Sequence, residues 1–196
     1  MAEALKIEIV KTPDMAGWFA RRRGAMLDAG VRALSNAIIA NFSAKNGQGN
    51  AKGFPRSNFW QDAAESVTSH VVGDTMISVI HKEGVRLRWK GGEVRPKPGK
   101  KALAIPLDPS VAHDWPSEYN DMATGGDYDE GATSLFWPKN SSHGFIKDNE
   151  NGDLLWLLVS KTTHRPDPTV IPPETELHDA IVRAMRAVLR AGRLKS

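Results

Sequence analysis

The chain contains no cysteine. That absence excludes disulfides, thiolate nucleophiles and cysteine-ligated zinc together, and it suits folding in a reducing cytoplasm. Long apolar runs are missing as well. The longest, Leu154 to Val159, falls far short of the roughly 20 residues a membrane-crossing helix needs. The first residues, Met1 to Val10, show no basic segment followed by an apolar core, so no secretory signal is expected. Net charge is also low, with 26 Lys plus Arg against 23 Asp plus Glu leaving +3. A protein that coats nucleic acid usually carries a denser basic field. The expectation is a soluble protein with no membrane partner that stays inside the cell making it, unless lysis releases it.

Signatures of catalysis are scarce. Gly47 to Gly53 is glycine-rich, but it fits neither phosphate-cradling pattern, and no apolar strand precedes it. The six histidines are too scattered for a His-x-x-x-His pair on one helix face. Asp127, Asp129 and Glu130 lack the spacing of a calcium loop and read as a solvated acidic tip. No Gly-x-Ser-x-Gly elbow is present, and the adjacent pairs His113–Asp114 and His178–Asp179 need not face one another. The expectation is therefore no enzyme, with no catalytic, cofactor-binding or metal residue to name and no cofactor.

What the chain does have is an ordinary globular composition, 40% hydrophobic and 25% charged over 196 residues. One domain spanning 1–196 is expected, with a flexible loop at 45–53, a basic arm at 91–101 and an irregular insert at 108–133.

Leu5 to Val10 alternates apolar and charged residues like a short edge strand, and Asp14 could cap the helix that follows. Leu27, Val31, Leu34, Ile38 and Phe42 form one apolar stripe, which predicts a helix from about Met15 to Phe42. A shorter helix is expected from Ser57 or Asn58 to Val67. Ser69–Val72 and Thr75–His81 flank Gly73-Asp74 as a hairpin. Val85–Trp89 reads equally as a helical turn or a strand. Ala102–Leu107, Ser134–Trp137 and Gly144–Lys147 read as strands. Leu154–Thr163, apolar on both faces at first, reads as the central one. Pro166–Pro173 is expected to be a stiff extended linker before a last helix from Glu174 to Ala191, stopped by Gly192.

Strands grouped between helices argue for an α+β fold. Its parts would be a long N-terminal helix, a short second helix, an antiparallel sheet of four to six strands and a C-terminal helix packed on the sheet.

Three stretches are locally basic: Arg21–Arg23, Arg95–Lys101 and Arg183–Lys195. The first and last read as solvated helix faces. The middle one holds two prolines that should keep it extended, and so suits docking on another chain. The six tryptophans are mostly core by expectation; Trp89 and Trp115, in irregular segments, are the two expected at a contact.

Taken in order, the helix at Asn58, the hairpin, Trp89-Lys90-Gly91-Gly92, Arg95-Pro96-Lys97 and Leu103-Ala104-Ile105-Pro106-Leu107 resemble the virion-morphogenesis and tail-completion proteins of tailed phages. The likeness resumes from Val159 to Pro173. The segment 108–153 is longer and more irregular than that family's pattern. The resemblance implies a neck component that joins head to tail as a homo-oligomeric ring, often of six copies. It would contact other neck, connector or tail proteins, with DNA passing through its lumen without specific binding. Its place would be the virion, after assembly in the host cytoplasm. Candidate subunit contacts are Trp89, Lys90, Gly91, Gly92, Arg95, Lys97, Lys100, Lys101 and Trp115. Two other roles fit the same residues: a tail terminator or head-closure protein, and a nucleic-acid-binding protein using the Arg/Lys segments.

Overall fold

An apolar stripe at steps of three and four must be buried against something. The computed structural model describes residues 16–48, 53–55, 57–114, 116 and 133–191, and it folds the stripe inward on α1 (Ala16–Asn46). Leu27, Val31, Leu34, Ile38 and Phe42 are all buried. The expected strand at 5–10, the Asp14 cap, the acidic tip at 127–130 and the Gly192 stop lie outside the described residues.

The fold is α+β, and its contacts gather into two compact units. The first comprises the described parts of 1–48, 57–90 and 166–196. In it α1 packs against α2 (Phe59–Glu65), the antiparallel hairpin of β1 (Val67–Val72) and β2 (Thr75–Ile80), and α4 (Glu174–Ala191). Leu177, Ile181 and Met185 of α4 join Met76 of β2 in one apolar cluster with the α1 stripe. Phe42 stacks on Trp60 at 5.6 Å between ring centroids. A polar seam crosses this interface: Ser35 of α1 bonds Ser69 of β1, which bonds Ser78 of β2. The undecided stretch after the hairpin is a short helix, α3 (Val85–Lys90), whose first residue, Val85, is buried.

Asn58 flanks α2 as expected but makes no capping bond through its side chain. The stretch 166–173 is not the simple extended linker its prolines suggest. It contains a 3-10 turn, Pro168–Val170, because the Asp167 carboxylate accepts from the Thr169 N–H and so caps the turn. Val170 is fully buried, and Asn41 of α1 donates to its carbonyl.

The second unit holds the described parts of 49–56 and 91–165. Its four-stranded antiparallel sheet runs in the order β4 (Leu103–Pro106), β7 (Leu154–Val159), β6 (Gly144–Asp148), β5 (Thr133–Phe136). The strongest apolar stretch is interior to the sheet, as its pattern predicts, and its Leu155 and Trp156 are buried with Val111. The expected single strand 154–163 is two. After a break at Ser160 and Lys161 the chain forms β8 (Thr162–His164), which pairs with β3 (Gly92–Val94) in a separate ribbon.

Candidate functional site

The site starts where α3 stops. Gly91 has φ 70° and Gly92 φ 148°. Side chains of L-residues are disfavoured across that half of the map, so two consecutive glycines permit a turn that other pairs would strain. The chain leaves the helix there and enters β3, whose three residues pair with β8 in the register Gly92↔His164, Glu93↔Thr163 and Val94↔Thr162.

Glu93 organises the start of the arm. Its Oε1 accepts from Arg95 Nε at 2.5 Å and its Oε2 from Lys161 Nζ at 2.8 Å. The bonds from Lys161 and then Arg95 hold its carboxyl below the usual carboxylate range. The charge of Arg95 is thus answered locally. That of the next three cations is not. Lys97, Lys100 and Lys101 are exposed and form no ion pair with a described carboxylate.

The arm is not extended throughout. The Lys100 N–H donates to the Lys97 carbonyl at 3.0 Å, and Gly99 has φ 85°. Proline followed by a positive-φ glycine is the signature of a type II turn, so Pro98-Gly99 reverses the chain instead of stiffening it. The consequence is electrostatic: Lys97, Lys100 and Lys101 lie around one tight turn.

The remaining candidates divide. Trp89 is half-buried against the apolar cluster of the first unit, and Lys90 Nζ lies 3.7 Å from the centre of its ring. Trp115 lies outside the described residues. The insert from 108 begins with a 3-10 turn, Pro109–Val111, capped by Asp108, whose carboxylate accepts from the Ser110 N–H at 2.7 Å. The rest of it, from 117 to 132, lies outside the described residues.

Two features had no clear signal in the sequence. Arg88 places its guanidinium 4.4 Å from the Phe59 ring centre and 5.5 Å from that of Trp60. Those partners come together only through the α2–α3 arrangement. Trp137, expected in the core, is 52% exposed. It lies across Gly144, where a Cβ would fall 2.3 Å from its ring atoms, and its Nε1–H donates to the Ser141 carbonyl at 3.2 Å. The signal that was available is its position at the end of an edge strand, just before the hairpin loop 138–143.

Among the described residues no group of three or more His, Asp or Glu side chains is close enough to hold a metal ion. An open groove of about 570 Å³ beside α1 and α2 has Glu65 as its one ionisable lining residue among the described residues. No described helix is long and apolar enough to cross a membrane. No family model, curated protein or solved structure matches this chain.

Proposed function

We propose that this protein is a structural component of a tailed-phage virion, acting in tail completion or head–tail joining as one subunit of a ring. The observation that carries the reading is the lysine turn. A double glycine and a Pro-Gly reversal hold Lys97, Lys100 and Lys101 outward, and no described carboxylate pairs with them. Keeping like charges together around one turn, without a described carboxylate beside them, is unfavourable for an isolated chain and favourable for one that meets an anionic neighbour. The neighbours in this reading are sister copies and other neck, connector or tail proteins, in the virion and, before that, in the host cytoplasm. A ring needs repeated interfaces and no bond-making group.

The test is charge reversal of the turn in the phage that carries the gene. Lys97→Glu, Lys100→Glu and Lys101→Glu together should block assembly of infectious particles while the purified variant keeps its circular dichroism and thermal midpoint. Normal particle yields from a folded variant would remove the basis of the proposal. A nucleic-acid-binding role would show instead as DNA affinity of the purified protein falling steeply with salt, since phosphate contacts release counterions.

A further inference from the structure

In the four-stranded sheet the register places the start of β4, the end of β7, the start of β6 and the end of β5 at one end: Leu103 lies opposite Val159, Gly144 opposite Leu158 and Phe136 opposite Phe145. Lys100 and Lys101 lead into β4 there, and Lys139 lies in the loop that follows β5; all three are exposed. Lys161 follows β7 at the same end and is held by Glu93, whose second cation is Arg95. The opposite end carries the other sign. Asp108 follows β4, Asp153 precedes β7, and Asp148 and Glu150 close β6. Lys147 offsets part of that charge.

Each end also presents apolar surface. Phe136 and Trp137 are 48% and 52% exposed at the basic end, and Leu107 and Leu154 are 41% and 42% exposed at the acidic end. An apolar centre rimmed by charge is the anatomy of a protein–protein contact. Here the two rims are opposite in sign on the same chain.

We infer that the sheet of one copy docks end-on against a second copy, the basic end of one meeting the acidic end of the next. This rests on the self-assembly reading above and names the surface that would carry it. The contact joins two different patches, so it is heterologous; such contacts propagate head to tail and close into a ring when the rotation allows. Lys100, Lys101 and Lys139 would face Asp148, Glu150 and Asp153 across the joint. Trp137, already seated on Gly144, would lie over the aliphatic patch of Leu107 and Leu154.

The full-length protein should self-associate in sedimentation velocity at about 50 mM salt and dissociate towards about 500 mM, as screening shortens the reach of the rim charges. Lys100→Glu with Lys101→Glu should weaken association by about tenfold or more, and so should Glu150→Lys with Asp153→Lys. The chain carrying all four substitutions should recover part of it, because the exchanged positions again meet with opposite charge across the joint. A variant that had merely misfolded would not recover. Association that ignores both reversals would overturn the inference and leave the assembly proposal standing. Failure of every version to associate, with infectious particles forming normally without the protein, would remove both. Binding of wild-type protein to duplex DNA, lost with Lys100→Glu and Lys101→Glu and unaccompanied by self-association, would also overturn it, by assigning the basic end to nucleic acid.

Discussion

The side-chain amide of Asn41 donates to the Val170 carbonyl at 2.8 Å, tying the last turns of α1 to the 3-10 turn that precedes α4. The same nitrogen reaches the Thr169 carbonyl at 3.2 Å. Val170 is fully buried, so its carbonyl has little access to water if this partner is lost. Asn41→Ala should therefore destabilise the first unit by about 1–2 kcal/mol, the cost of leaving a buried acceptor unsatisfied. Urea unfolding followed by circular dichroism measures this. A midpoint equal to that of the wild type would mean another donor replaces the amide.

Asp167 should make stability depend on acid pH. Its carboxylate accepts from the Thr169 N–H at 2.9 Å and the Thr169 Oγ1–H at 2.6 Å, and it lies 3.4 Å from Lys45 Nζ. Chiefly through the Thr169 bonds, its carboxyl is held below the ordinary value of 3.8. A carboxyl depressed in the folded state stabilises the fold above its unfolded pKa, and that contribution is lost as pH falls through the folded pKa. Asp167→Ala should thus be less stable than wild type at neutral pH, with the gap closing below about pH 4. Thermal midpoints of both proteins across the acid range check this. A gap that stays constant there would show that the carboxylate charge contributes nothing.

Gly91 should resist replacement. With φ at 70° it sits directly after α3, where an L-residue other than Asn or Asp costs about 1–2 kcal/mol. Gly91→Ala should lower stability by that amount, and Gly91→Asn by clearly less, because Asn tolerates this conformation. Chemical denaturation of the two variants decides the matter. Equal stabilities would mean the backbone relaxes to negative φ, and the double glycine would no longer explain the turn.

The helices were legible because their information is local. The stripe from Leu27 to Phe42 and that of Leu177, Ile181, Ala184, Met185 and Val188 declare which face turns inward; the first is buried throughout, while in the second Leu177, Ile181 and Met185 are buried and Ala184 and Val188 half-buried. The hairpin through Gly73-Asp74 and the interior position of β7 followed from β-branched and two-sided apolar patterns. Other features depended on partners distant in sequence. Prolines at 166–173 suggested an extended linker, but Asn41 and the Asp167 cap bend it into a docked turn. Leu154–Thr163 looked continuous, yet β7 and β8 pair in different sheets. In the arm, Pro98-Gly99 is a local cue for reversal, whereas the prolines taken singly suggest an extended chain.

By itself the sequence determined the α+β class, the places where the chain must turn, and the cationic character of 95–101, since composition, periodicity and glycine chemistry act over a few residues. Only the tertiary structure decided that Lys100, Lys101 and Lys139 share one end of a sheet while Asp108, Glu150 and Asp153 share the other. In an antiparallel sheet successive loops alternate between ends, so charges scattered along the chain are sorted by strand direction and register, which long-range pairing alone sets.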